Sequence, residues 1–189
     1  MTDAQKTMIY ARAITTIIAS PTSRGGGPPS LALRRSAGRC VLRFVADNTG
    51  MEPSYELFDH TADVGIRAFA PSLAGLVKPA GDGLYDVIGE VVPGAKVERI
   101  AFDLRGGDPA TLLRDYLHEL LILFERSERC AKSVDVSIFD EQRLAVTVEA
   151  AVIDDEQSAF HREVKAITYH ELGIREIPGG YEATIIVDI

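Results

Sequence analysis

An amphipathic segment between residues 109 and 126 constrains the fold of this chain more than any other part of its sequence. Asp108 is a good N-cap because its carboxylate can accept a hydrogen bond from an amide of the first turn, and Pro109 suits that turn. Apolar residues then recur at the i, i+3, i+4 spacing of one helix face: Leu113, Tyr116, Leu117, Leu120, Leu121 and Phe124. We therefore predict a helix over 109–126 with that face in the core.

The other faces of this helix are polar. His118 lies beside Glu119, and a lone helical histidine of this kind is more often a solvated surface residue than a ligand. We therefore predict no role in a functional site for His118.

Alternation of apolar and polar residues at period two marks strands on both sides of the helix. Residues 100–104 alternate before it, and residues 134–138 and 144–148 alternate after it across a polar turn, which predicts a β-hairpin. Further strands are predicted at 55–58, 64–69, 164–170, 172–177 and 181–189. With a second helix near 72–88, this order predicts an α+β fold: a two-layer arrangement in which two helices cover one face of a largely antiparallel sheet, with additional β-hairpins.

The second helix contains residues that disfavour helices. Ser72 could cap it, and apolar residues follow at helical spacing from Leu73 to Ile88. Pro79 and three glycines lie inside this segment, and an interior proline removes a hydrogen bond and clashes with the preceding turn. We expect a kink here, or two shorter helices.

The first 50 residues differ from the rest in composition and charge. Residues 20–30 are rich in glycine and proline, which sustain neither helix nor strand, and the apolar patch at residues 8–19 is too short and interrupted to span a bilayer. The segment is also rich in arginine and poor in acid, as targeting segments are, but it lacks a clean cleavage site. We expect residues 1–50 to be an extension outside the fold, with a domain at 51–189 and Met51 as a possible functional start.

The charge of residues 51–189 argues against nucleic acid as a direct ligand. Residues 1–50 carry seven basic and two acidic side chains, a balance of +5, whereas residues 51–189 carry 13 basic and 26 acidic ones, a balance of −13. Phosphate backbones are gripped by clustered Lys and Arg, so a basic protein is the better partner for this domain. Cys40 and Cys130 form neither a disulfide framework nor a zinc motif, which favours a reducing, cytoplasmic setting.

Polar side chains interrupt two predicted strands at residues 58–68. His60, Thr61 and Asp63 would lie on a turn held at both ends by β structure, which is a favourable place for a site. Asp, Thr and Gly are also ordinary turn formers, so composition alone favours a purely structural turn.

The C-terminal strand ends in two anionic groups. Asp188 lies next to Ile189, and two adjacent carboxylates repel each other unless a positive charge lies between them or both point into water. A hard divalent cation with oxygen ligands is one candidate for that charge.

Four stretches of the chain resemble the archease family in order and spacing: 59–68 (DHTADVGIRA), 112–121 (LLRDYLHELL), 163–170 (EVKAITYH) and 187–189 (VDI). The resemblance runs from about Tyr55 to Ile189 and leaves out residues 1–50. It implies a small cytoplasmic, non-enzymatic protein that assists an RtcB-type, GTP-dependent RNA-splicing ligase in tRNA splicing. The assistance would consist of faster guanylylation of the ligase and repeated turnover.

The resemblance also implies a divalent ion, usually calcium, bound by Asp63, Asp188 and Ile189, whereas GTP and Mn²⁺ would belong to the partner ligase. Asp63 on a turn and oxygens at the chain end agree with that set, provided that both meet at one edge of the sheet. The chain departs from the family pattern at Pro79 with its neighbouring glycines and at residues 150–151, where Ala-Ala replaces a usual glycine. These departures affect the packing or partner surface near residues 72–90 more than the ion site.

Two other function classes stay open from the residues alone. An independent metal-dependent hydrolase could use His60 or His170 as a base beside Asp63, although the sequence contains no complete catalytic metal motif. A general protein-modulating chaperone is suggested only by the acidic surface.

Overall fold

A computed structural model describes residues 50–189. The predictions for the N-terminal extension lie outside these residues. Two helices are described, α1 (Leu73–Ile88) and α2 (Pro109–Ser127). The strands are β1 (Ser54–His60), β2 (Asp63–Ala70), β3 (Gly89–Glu90), β4 (Pro93–Arg105), β5 (Arg129–Phe139), β6 (Arg143–Ile153), β7 (Ala159–Phe160), β8 (Ala166–Ile167), β9 (Gly173–Ile177) and β10 (Gly180–Asp188).

Every strand pairing in the described part of the chain is antiparallel, which confirms the α+β class. The strands are divided among several sheets. A five-stranded sheet has the order β1-β2-β10-β8 with β9 also paired to β10, a three-stranded sheet has the order β4-β6-β5, and β3 and β7 form a short ribbon. Each helix contacts strands of both larger sheets, so the helices share one core with them.

Helix α2 forms where its apolar stripe predicts it. Asp108 accepts a hydrogen bond from the Thr111 amide at 2.8 Å, as expected of an N-cap. The helix runs one residue past the predicted end, and Glu128 closes it in the left-handed region at φ 50°. The stripe is buried apart from Phe124, which is half-buried. His118 is half-buried rather than fully solvated, and burial lowers its pKa.

The expectation of a break in the other helix is wrong, because α1 is one continuous helix through Pro79. Its glycines explain how the cost of the proline is offset. A Cβ on Gly83 would lie 2.7 Å from Ile66 Cγ2 of β2, and a Cβ on Gly81 would lie 3.1 Å from Leu120 Cδ1 of α2. The helix therefore approaches both neighbours closely, and tertiary packing outweighs weak local propensity.

Some strand boundaries differ from the predictions. The strand predicted at 100–104 extends from Pro93 to Arg105, and the predicted strand at 164–170 is regular only at Ala166–Ile167. Neither described helix is long and apolar enough to cross a membrane. Cys130 is a buried free thiol whose pKa is raised by that burial, and Cys40 lies outside the described residues.

Candidate metal centre

The polar break predicted between the first two strands is a tight hairpin turn. His60 is the last residue of β1 and pairs with Asp63, the first residue of β2, so only Thr61 and Ala62 connect them. Thr61 adopts a positive φ of 47°, which is uncommon for a β-branched residue. The turn therefore holds His60 and Asp63 side by side at the end of the sheet.

The sheet register brings the chain end to the same place. Strand β10 pairs with β2 up to Val187 opposite Val64, so one further step puts Asp188 opposite Asp63. Residues opposite each other on antiparallel strands project their side chains to the same face. Asp63, Asp188 and Ile189 are all half-buried. The two predicted sequence regions therefore meet at one edge of the sheet, where β2 begins and β10 ends.

Lys165, which directly precedes β8, binds the last two residues of the chain. Its amide donates to the Asp188 carbonyl at 2.9 Å, and its Nζ donates to the main-chain oxygen of Ile189 at 2.7 Å. The Ile189 side chain packs against the core. The end of β10 is thus anchored, as expected, and a cation already compensates part of its negative charge. Our sequence reasoning gave Lys165 no role, although it lies in the 163–170 stretch.

The turn before β9 adds two further groups to this edge. The rings of His60 and His170 have centroids 5.2 Å apart, and Glu171 lies beside both, with its Oε2 3.7 Å from His60 Nε2 and its Oε1 3.8 Å from His170 Nε2. Glu171 has a positive φ of 48°. We did not predict Glu171, because only the fold shows that its turn faces the β1–β2 hairpin, more than 100 residues earlier.

Hydrogen bonds hold the segment that carries His170. The Thr168 hydroxyl donates to the Ile186 carbonyl at 3.0 Å and accepts from the His170 amide at 3.2 Å. Arg114 of α2 donates through Nε to the Ile167 carbonyl at 2.9 Å, and its guanidinium lies over the exposed ring of Tyr169, 4.6 Å from the centroid. The segment is therefore tied to both β10 and α2.

The donors at this edge fit two kinds of ligand chemistry. Asp63, Asp188 and Ile189 offer only oxygen atoms, which suits a hard cation such as calcium. His60, His170 and Glu171 offer imidazole nitrogen and carboxylate oxygen, with one donor atom of each within 4.8 Å of the others. His118 is not a member of this group.

The fold and the site define the class: a small antiparallel α+β protein. Its five-stranded sheet brings carboxylates and imidazoles together beside the end of β10, which Lys165 holds. The profile of the Archease protein family matches residues 55–189. The chain belongs to the archease family.

Known relatives agree with this assignment. The chain is similar to the protein archease of Pyrococcus abyssi (strain GE5 / Orsay), with 32% identity over 139 residues that cover 71% of this chain and 98% of the relative. It is also similar to the solution structure of Methanobacterium thermoautotrophicum protein 1598, with a TM-score of 0.58 and 28% identity over 72% of this chain and 99% of the other. The crystal structure of an archease, possible chaperone, from Thermotoga maritima shares the fold, with a TM-score of 0.55 at 16% identity over 70% of this chain and 94% of that one.

Proposed function

We propose that this protein is a cytoplasmic, non-enzymatic activator of an RtcB-type, GTP-dependent RNA-splicing ligase. It would promote guanylylation of the ligase and allow repeated turnover. A divalent ion would be held by Asp63, Asp188 and Ile189, whose oxygen donors suit calcium. The observation that carries the proposal is the convergence of these residues at one edge of the β1-β2-β10-β8 sheet.

The fold gives each of these residues a distinct contribution. The tight turn places Asp63 beside His60, and β10 places Asp188 opposite Asp63. Lys165 orients the last residue by donating to its main-chain oxygen. A bound divalent ion would supply positive charge that neutralises phosphate oxygens during nucleotidyl transfer.

The distribution of charge supports a protein partner over a nucleic acid. Residues 51–189 carry an excess of 13 acidic side chains. Such a surface repels RNA and attracts a basic surface, and a ligase that binds RNA and GTP must carry one.

Label transfer from GTP to the ligase tests the proposal. Guanylylation rate and the number of ligations per ligase would be measured with the parent chain and with the double variant Asp63→Asn, Asp188→Asn, which keeps side-chain size and removes two anionic donors. We expect the parent to increase both quantities and the double variant to leave them near the level of the ligase alone. Equal stimulation by both chains would refute a role for this edge.

A metal-dependent hydrolase is the second candidate, because the structure brings together the groups that it would use. His60 Nδ1 lies 3.9 Å from Asp63 Oδ2, and His170 is adjacent. Incubating the chain alone with phosphoesters and divalent ions separates the candidates. Turnover that disappears in a His60→Asn variant would favour the hydrolase, whereas the activator needs the ligase to show any effect.

A further inference from the structure

We propose that His60, His170 and Glu171 form a second metal site, adjacent to the oxygen donors Asp63, Asp188 and Ile189 but distinct from them, that takes a borderline transition-metal ion such as Zn²⁺. This inference does not depend on the activator function, because it concerns direct binding of an ion to this chain.

The spacing of the three donors is close to that of a metal site. One donor atom from each residue lies within 4.8 Å of the others. The Glu171 carboxylate faces both imidazoles, with Oε2 3.7 Å from His60 Nε2 and Oε1 3.8 Å from His170 Nε2. Ligands about 2.0–2.1 Å from a tetrahedral zinc ion are about 3.3 Å apart, so donor separations of up to 4.8 Å would have to close by up to about 1.5 Å. His170 and Glu171 can make such shifts because their side chains are 63% and 57% exposed.

His60 is the fixed member of the group, and its two nitrogens face different partners. Nε2 points toward Glu171, whereas Nδ1 is buried and makes no hydrogen bond to any residue that the structure describes. Asp63 Oδ2 lies 3.9 Å from Nδ1. With an ion on Nε2, Nδ1 would carry the proton and donate it toward Asp63, which is the carboxylate–histidine–metal arrangement that commonly orients metal-bound imidazoles.

The donor types select the ion. Two imidazoles and one carboxylate suit zinc and its neighbours in the first transition row, and they leave a fourth tetrahedral position open. Calcium prefers six to eight oxygen ligands and gains little from imidazole. The two sites would therefore take different ions, and Asp63 would be a direct ligand in one and an orienting group in the other.

Cobalt is the most direct probe, because tetrahedral Co²⁺ with nitrogen and oxygen ligands absorbs visible light. The full chain would be stripped of ions, titrated with Co²⁺, and then titrated with Zn²⁺ against a chelating dye. The variants are His170→Asn and Glu171→Gln, each at an exposed position where folding should be unaffected. His161→Asn, at an exposed histidine outside the group, is the matched control.

We expect cobalt absorption in the parent and in His161→Asn, and about 100-fold weaker binding in each of the other two variants, since each loses a ligand. Excess calcium should not displace the cobalt, and Asp188→Asn should bind it like the parent, whereas Asp63→Asn should bind it about tenfold less tightly. No cobalt absorption in the parent, parental binding by His170→Asn or Glu171→Gln, or displacement of cobalt by calcium would each overturn the proposal.

Discussion

At the scale of single residues, the candidate centre depends on two turns with unusual backbone. Thr61 and Glu171 are two of the three non-glycine residues with positive φ in the described part of the chain, and each belongs to a turn that presents a site residue. A left-handed conformation costs roughly 1–2 kcal/mol for a non-glycine residue. Such strain persists where surrounding structure over-determines it. Here β1 and β2, which flank Thr61, pair with each other, and β8 and β9, which flank Glu171, both pair with β10.

Asp63 should be important for ion binding and unimportant for folding. Its side chain is 31% exposed at the end of a sheet, so Asp63→Ala removes little packing. We expect a change in unfolding free energy within about 0.5 kcal/mol, together with parallel losses of calcium affinity and ligase stimulation. Urea unfolding, calorimetry and label transfer measure the three quantities. Asp135→Ala, at an exposed carboxylate of β5, is the control, and full ligase stimulation by Asp63→Ala would contradict the assignment.

At the scale of secondary-structure elements, the glycines of α1 permit close packing. Gly83→Ala should raise helix propensity by about 1 kcal/mol. The new Cβ would nevertheless meet Ile66, which is fully buried and cannot move aside cheaply, and overpacking of this kind costs about 1–3 kcal/mol. We therefore predict net destabilisation of about 1 kcal/mol, measured by urea unfolding. Gly173→Ala is the control because a Cβ there meets nothing within 4 Å; a more stable Gly83→Ala protein would show that α1 is not closely packed.

The three-stranded sheet contains an ion-pair cluster that should respond to acid. Asp103 of β4 accepts hydrogen bonds from Arg143 at 2.8 Å and from Arg105 at 3.1 Å, and these contacts lower the pKa of Asp103 to about 2. Because the folded-state pKa is lowered, its contribution to stability is present above the ordinary pKa of about 3.9 and is lost as the pH falls toward 2.

Asp103→Asn should accordingly lower the urea midpoint slightly at pH 6, since exposed pairs are screened, and the difference from the parent should shrink between pH 4 and pH 2. Asp135→Asn controls for the loss of one exposed charge on β5, a strand of the same sheet. A difference between Asp103→Asn and the parent that is independent of pH would mean that the arginine contacts do not stabilise the carboxylate.

The elements that were predictable from sequence are those with strong local signals. The N-cap at Asp108 and the apolar residues at helical spacing after it predict α2, and the alternation of apolar and polar residues predicts the β5–β6 hairpin. The continuity of α1 was not predictable, because it depends on what Gly81 and Gly83 approach in the folded chain. The same limit applies to Glu171, whose proximity to His60 exists only once β1 and β9 share a sheet.

At the scale of the whole molecule, both helices and both larger sheets share one core, and the candidate centre lies at an edge of the five-stranded sheet. The family match covers residues 55–189. We predict that a chain of residues 51–189 folds and stimulates the ligase like the full chain, measured by thermal unfolding and label transfer. Failure of the shorter chain to fold would show that the N-terminal residues pack on the domain.

Calcium titration by calorimetry tests the proposed ion site most directly. The chain ending at Ile189 would be compared with a chain extended by a few residues, with Asp188→Asn, and with the control Asp135→Asn. We predict affinity at least about tenfold weaker, or about 1.4 kcal/mol, for the extended chain and for Asp188→Asn, because each removes an anionic oxygen donor. The control and an N-terminally tagged chain should bind calcium like the parent. Undiminished calcium binding by the extended chain would exclude the Ile189 carboxylate as a ligand, and undiminished binding by Asp188→Asn as well would contradict an ion site at this edge.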